Sequence, residues 1–513
     1  MSSPIGKRDS ASSSNGAMDP KSEQVRRGSK TSVGNTAGAD QLLENLGYKP
    51  ELSRNRSTLQ VAFMSFVLAS IPYGLATTLV YPLIGGGPVN IIWGWVAVSL
   101  IIVCVAASLG EITSVYPTAG GVYYQAFMLA PARWRRIASW ICGWLYVVGN
   151  ITITLAVNFG TALFFVGCIN VFEKKDGSGV LSGEAYQVFL IFLALTLLCN
   201  AVSSLGNRWL PWIDTAAIFW TFAGVIAIVV CVLAIAKNGR HDAKYVFTHF
   251  EVNSGWPDGW SFCVGLLHAA YATSSTGMII SMCEEVQQPS TQVPKAMVAT
   301  IFINTFAGLL FLIPLVFVLP DITELISSAQ PVPVIIKSAV GSSGGAFGLV
   351  FPSWSSPSSA VSAAPPLPRD ASGPSPATVP SPVPNGGPSM AVQIILGVIY
   401  FGSSAAFNAF SGVGVICLTA SYATPIAISL ATGRKQVKTG SFYLGTFGTV
   451  ANVIAIAWSL LALPLFCMPS AIPVTAETVN YAPVVFVFAC LVSGIWYWVW
   501  GHKNYAGPPT HDE

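Results

Sequence analysis

Charged residues fall in short clusters along this chain, and the intervals between them are almost wholly apolar. No Lys, Arg, Asp or Glu occurs between Arg56 and Glu111, Arg136 and Glu173, Glu184 and Arg208, Asp214 and Lys237, Asp258 and Glu284, or Lys295 and Asp321. A helix needs roughly 20 apolar residues to cross the hydrocarbon core of a bilayer, so each interval holds one or two crossings. The pattern predicts spans at about 60–82, 90–112, 138–166, 186–204, 213–236, 260–283 and 297–319, and, after a gap, at about 391–407, 409–430, 443–467 and 481–500. The fold class is an all-α polytopic membrane protein. In lipid nearly every backbone polar group must bond within the protein, so Gly or Pro inside a span marks a kink or a functional break.

Composition agrees. Only 9% of residues are charged, against roughly 25% in soluble domains. The net charge of +3 and the lack of basic runs interleaved with aromatics give no nucleic-acid signal. The ten cysteines stand singly, without a CxxC pair, and read as small packing residues. No cofactor or metal motif occurs, and no GxxxxGK[ST] loop points to ATP. An enzyme is not expected, because no nucleophile–base constellation is visible.

Residues 1–58 are rich in Ser, Gly and Lys and are expected to form a disordered cytosolic tail. Residues 59–340 then carry the first seven spans, 391–502 the last four, and 503–513 a second cytosolic tail. With the N-terminus in the cytosol, Arg133, Arg135, Arg136, Arg208 and Lys295 all face inward, as the positive-inside rule asks. The external loop with Lys237, Arg240 and Lys244 runs against the rule, but it also holds Asp242 and Glu251.

Residues 341–390 are anomalous. From Pro352 to Pro388 the chain reads PSWSSPSSAVSAAPPLPRDASGPSPATVPSPVPNGGP, which proline excludes from a membrane helix. It begins after GGAFGLVF, which reads as the opening of a span, and ends at AVQIILGVIYFG, which reads as the second half of one. Parity sharpens the point. If one span is missing here, the loop with Arg434, Lys435 and Lys438 faces outward against the positive-inside rule; restoring it returns that loop to the cytosol. The segment is read as replacing the eighth span, as a frame-shifted or retained non-coding stretch would. Sequencing the transcript tests this.

Two motifs carry a resemblance. The run Gly110-Glu111-Ile112-Thr113-Ser114-Val115-Tyr116-Pro117-Thr118-Ala119-Gly120-Gly121-Val122-Tyr123-Tyr124 resembles the acidic-x-x-x-x-Tyr-Pro-x-x-Gly-Gly-x-Tyr signature after the second span of amino acid–polyamine–organocation permeases. The run Cys283-Glu284-Glu285-Val286-Gln287-Gln288-Pro289-Ser290-Thr291-Gln292-Val293-Pro294-Lys295-Ala296 resembles that superfamily's loop after the sixth span. The wording is most similar to the fungal amino acid/choline/GABA permease branch. The resemblance covers about 55–351 and 391–505 and stops over 352–390. It implies a five-plus-five inverted-repeat core, like that of leucine transporters, with two further helices and about 11 spans here. It also implies first and sixth spans broken at mid-membrane around a substrate.

The residues support breaks at those places. Ser70, Pro72, Tyr73 and Gly74 interrupt the first span, and Thr273, Ser274, Ser275, Thr276 and Gly277 follow Tyr271 in the sixth. Free N–H groups at a broken helix end can hold a carboxylate, and the hydroxyls can equally satisfy freed backbone groups. His268 is an intramembrane ionisable residue, a candidate for H+ coupling or a satisfied histidine. Asn150 and Asn158 read as interhelical contacts. Many relatives have an aspartate where this chain has Gly277, so a cationic head group is expected to rest on aromatic faces instead; Tyr73, Tyr146, Tyr271 and Trp220 are the candidates. Glu111, Tyr116, Pro117, Gly120, Gly121, Glu284 and Glu285 form an expected inner gate, with Arg133, Arg135, Arg136 or Lys295 as ion-pair partners.

The resulting expectation is a secondary active transporter for small amino acids or amines such as choline or GABA, a symporter if protons are coupled, working by alternating access. It would be embedded in membrane lipid, by resemblance in the plasma membrane. Two rivals stand beside it: an inactive product of a damaged gene lacking one span, and a membrane nutrient sensor that binds without transporting.

Overall fold

The computed structural model describes residues 71–174, 179–205, 210–236, 240–328, 330–354, 386–401, 404–475 and 479–508. All of the named elements are helical. Both expected terminal tails, apart from residues 503–508, lie outside the described residues, as do Ser70 and most of the Pro-rich segment.

Helix occupies the expected intervals wherever they are described. The first span appears as α1 (Ile71–Thr77) and α2 (Val80–Gly85), the second as α3 (Gly87–Val115), with a π-helical turn at Asn90–Gly94. A short α4 (Gly121–Leu129) leads to α5 (Arg135–Ile169), α6 (Ala185–Leu205), α7 (Leu210–Ile235) and the external α8 (Ala243–Thr248). The sixth span comprises α9 (Asp258–Gly265), α10 (Leu267–Thr273) and a 3-10 helix, Ser274–Glu285. Then come α11 (Pro289–Phe317), α12 (Ile322–Ser327), α13 (Pro331–Val340), α14 (Ser343–Trp354) and α15 (Gly386–Gly397). The chain ends with α16 (Ser404–Ala431), α17 (Gly445–Leu465) and α18 (Ala482–Asn504). Seven helices among the described residues are long and apolar enough to cross a membrane. They define a multi-pass membrane protein.

The bundle centre is held by close backbone approach. A Cβ on Gly149 of α5 would stand 2.8 Å from Leu418, and one on Gly414 of α16 3.1 Å from Ile153. Small residues serve here because lipid gives helices no hydrophobic reason to associate, and packing must do it. Cys142 Sγ donates to Ser421 O at 3.3 Å further along the same seam. The successive contacts Ile153–Gly414, Gly149–Leu418 and Cys142–Ser421 make α5 and α16 antiparallel.

This polarity bears on the parity question. The loop after α16 lies against the end of α3, so α16 starts at the opposite face, the one Asp321 also occupies if each helix from α5 to α11 crosses once. Helices α14 and α15 stand on either side of the Pro-rich segment, most of which lies outside the described residues. Phe347 of α14 packs 5.4 Å from Phe172, just past the end of α5, and Phe401, just after α15, 4.9 Å from Phe189 near the start of α6. Arg434 thus shares the face of Glu111, the arrangement the positive-inside rule asks for.

Candidate functional site

Helix is interrupted once in the first span and changes type in the sixth, and the two spans meet one to two turns before the second of these places. In the first, α1 runs unbroken through Pro72, Tyr73 and Gly74, and the chain turns at Thr78–Leu79. The interruption is thus one turn beyond the expected one. Gly74 O is occupied by the hydroxyl protons of Thr78 at 2.8 Å and Thr77 at 3.3 Å. In the sixth span the α-helix gives way at Ser274 to a 3-10 helix of 12 residues. Runs beyond roughly 3–4 residues are uncommon in this tighter form, and such a stretch inside a span often marks a hinge.

The link between the two is a hydrogen bond of 2.9 Å between Thr78 Oγ1 and His268 Nδ1. A hydroxyl has one proton to give, and Thr78 Oγ1 lies within reach of both Gly74 O and His268 Nδ1. In the tautomer with the proton on Nδ1, Thr78 gives its own to Gly74 O and Nε2 is an acceptor. That Nε2 is buried and has no partner among the described residues; the whole side chain is 1% exposed. A buried acceptor without a partner costs free energy and calls for an explanation.

Most expected hydroxyls turn inward on their own helix. Thr273 donates to Ala269 O at 2.8 Å, Ser274 to Tyr271 O at 2.7 Å and Thr276 to Thr273 O at 2.7 Å. They satisfy carbonyls loosened by the change of helix type and keep only acceptor lone pairs. Ser275 and the Tyr271 hydroxyl make no hydrogen bonds among the described residues, Ser275 half-buried and Tyr271 buried. Tyr73 is a strut: its hydroxyl meets Thr161 Oγ1 at 2.7 Å and Val157 O at 3.0 Å on α5. Gly277 is filled from outside, since a Cβ there would stand 2.2 Å from the Tyr422 ring. The Tyr422 hydroxyl donates to Ser274 O at 3.0 Å. Trp220 is 53% exposed on α7 and does not reach the site, while Tyr146 is half-buried on α5. Asn158 does bridge helices, donating to Thr196 Oγ1 at 3.4 Å, whereas Asn150 bonds its own Tyr146 O.

At the end of α3 Glu111 does not pair with Arg133, Arg135, Arg136 or Lys295. Arg133 lies over the Trp134 ring and Arg135 over Phe127, and Lys295 is exposed. The partner is Arg434, whose Nη2 stands 2.6 Å from both carboxylate oxygens. Leu444 N donates to Glu111 Oε1 at 2.8 Å, and Arg434 Nη1 reaches Gly445 O at 2.7 Å and Thr449 Oγ1 at 2.5 Å. Arg434 takes a left-handed backbone, φ 55°, which a non-glycine residue keeps only where its surroundings hold it. The physical reason for the exchange of partners is cover. The loop after α16 lies over the end of α3, so Glu111 is 1% exposed and is faced by that loop and by Gly448 of α17.

The same loop touches both sequence motifs. Tyr116 donates to Gln436 at 3.1 Å, and Gln436 to Met128 O at 3.3 Å. Ser441 donates to Ser290 O at 2.8 Å in the second motif. Pro117 is buried, Gly120 half-buried, and Gly121 starts α4 with φ 65°. Glu284 is half-buried at the end of the 3-10 helix; the Glu285 side chain lies outside the described set. Arg434, Thr78 and Tyr422 are the residues sequence reasoning missed. For Arg434 the signal was the parity conflict itself.

A bundle whose first and sixth spans touch and are both interrupted, closed at one face by a buried ion pair, is the architecture of a transporter. The chain belongs to the amino acid permease family, whose sequence model matches residues 57–372, and so to the amino acid–polyamine–organocation superfamily. It is 30% identical to an uncharacterized amino-acid permease of Schizosaccharomyces pombe over 91% of this chain and 89% of that one. It is 29% identical to the polyamine transporter TPO5 of Saccharomyces cerevisiae, over 92% and 78%. The choline transporter of the same yeast is 28% identical over 88% and 82%.

Proposed function

We propose that this permease is a secondary active carrier for a small amine or amino acid, choline and GABA among the candidates. The observation that carries the reading is the Thr78–His268 contact, which joins the two interrupted spans and leaves one buried imidazole nitrogen as an open acceptor. Three properties follow. An N–H donor of a substrate finds an acceptor in Nε2. A proton can add at Nε2 while the Nδ1–H bond to Thr78 stays intact, which couples H+ to the joint between the spans. Substrate entry must move Tyr422, because its ring occupies the space beside Gly277.

The conformation is closed at the inner face, since Glu111–Arg434 seals α3 to the loop before α17. Alternating access then means release of that clasp as the site opens inward. The protein works in this reading at the plasma membrane with its N-terminus in the cytosol. Radiolabelled uptake of choline, GABA, spermidine and an amino-acid panel in transport-deficient cells tests it, with and without a proton gradient. His268→Gln is expected to keep the fold and abolish the response to the gradient. Uptake by this variant that still follows the gradient would refute the coupling role; substrate binding without uptake would favour the sensor.

A further inference from the structure

The face opposite the clasp carries an open cleft of about 440 Å³ between the loop after α7 and the turn after α11. One wall is a ladder of rings: His241 stacks on Tyr245 at 3.8 Å, and Tyr245 on His249 at 4.4 Å. Glu251, Asp321 and Ser338 also line it. The Tyr245 hydroxyl makes no hydrogen bond among the described residues. Its pKa is raised by burial first, then by Glu251 and Asp321, so both carboxylates act on this one ring.

The charges do not balance within the cleft. Among the described residues its lining has two carboxylates and no Lys or Arg. Lys337, beside Ser338, pairs with Glu173, and Arg240 donates to Leu233 O. Lys244 is exposed on α8 and does not line the cleft. His241 Nε2 donates to Leu319 O at 2.8 Å, and His249 Nε2 lies 3.3 Å from Glu251. Asp321 accepts from Thr323 N at 2.9 Å and Glu251 from Asn253 at 3.1 Å. A carboxylate has about four acceptor sites, so both keep capacity for a further donor.

We propose that this cleft is an external binding site for organic cations bearing primary ammonium groups, with diammonium ions preferred. The ammonium groups meet Glu251 and Asp321, and the alkyl chain lies along the ring ladder, whose faces also attract cations. The cleft stands over the outer end of the first span. Val89 N donates to His249 O at 3.3 Å, and a Cβ on Gly87 would stand 3.3 Å from Ile322 and 3.8 Å from Glu251. A cation held there waits on the outer side of the Thr78–Leu79 interruption. This site is separate from the mid-membrane one and goes beyond the transport reading.

The test uses the whole chain in lipid nanodiscs, titrated calorimetrically with 1,4-diaminobutane and with 1,4-butanediol as the neutral control. The diamine is expected to bind and the diol not. Glu251→Gln with Asp321→Asn is expected to weaken the diamine by about tenfold or more, the scale of a lost charge-assisted hydrogen bond. Glu251→Lys, which supplies its own ammonium, is expected to remove the binding. His268→Gln is expected to leave it intact even if transport is lost, which separates this proposal from the mid-membrane one. Equal binding of the diol, or unchanged diamine affinity in a folded double variant, overturns it. If that double variant does not fold, Ser338→Trp fills the cleft without touching its charges, and unchanged diamine affinity there overturns it too.

Discussion

The two faces of this transporter treat their carboxylates in opposite ways. At the inner face Glu111 is 1% exposed and is met by a guanidinium, a backbone N–H and no water-facing surface. At the opposite face Glu251 is half-buried and Asp321 exposed, in a cleft with no Lys or Arg among its described lining residues. A charge taken out of water must have its counter-charge built in; one that stays near water need not. Arg434 makes the inner carboxylate a closure, and the want of such a residue leaves the outer pair able to take a cation from solution. Between them lies a neutral middle, where hydroxyls serve the backbone and a single imidazole nitrogen stays open.

The largest expected effect comes from removing one side of the closure. Glu111→Gln leaves Arg434 buried without its charge partner and should cost about 3–5 kcal/mol, read as a fall in thermal unfolding midpoint in nanodiscs. Unfolding like wild type would mean the pair is solvated and the contrast between the faces false. Gly448→Ala keeps both charges but places a Cβ 2.2 Å from Arg434 Nη2 and 2.5 Å from Glu111 Oε1. Overpacking of this kind should cost about 1–3 kcal/mol. It should also raise cysteine labelling of the inner face, which tests opening rather than stability. In the middle, Thr78→Val leaves the Nδ1–H of His268 without an acceptor, a buried loss of about 1–3 kcal/mol, and should lower uptake more than expression. The smallest effect belongs outside. Glu251→Gln should change the unfolding midpoint by less than about 1 kcal/mol equivalent while weakening diamine binding. A stability loss there as large as that of Glu111→Gln would erase the distinction.

Much of the fold could be read from the chain, because membrane helices are specified locally. The uncharged intervals mark α5 and α17 and the end of α11 to within a few residues, since lipid enforces the same hydropathy along each helix, while α11 begins eight residues before its expected start. The site was legible as a neighbourhood. His268 stood out as an ionisable residue in a span, and 272–277 as a weak stretch of helix. The exact break in the first span was not legible, because helix continues through Pro72, Tyr73 and Gly74 while the Thr78 hydroxyl bonds Gly74 O at the turn that follows. Nor was the fate of Gly277, whose space is taken by Tyr422 from a helix far along the chain.

By itself the sequence determined that this protein lives in a membrane, where its helices run, and which two segments carry the superfamily's motifs. These are properties of short windows, and the bilayer reads them one window at a time. Only the tertiary structure decided that Glu111 meets Arg434, 323 positions away, that Thr78 meets His268, 190 positions away, and that the outer acids share one cleft. Such pairings depend on which helices pack side by side, and no local pattern of polarity encodes that choice.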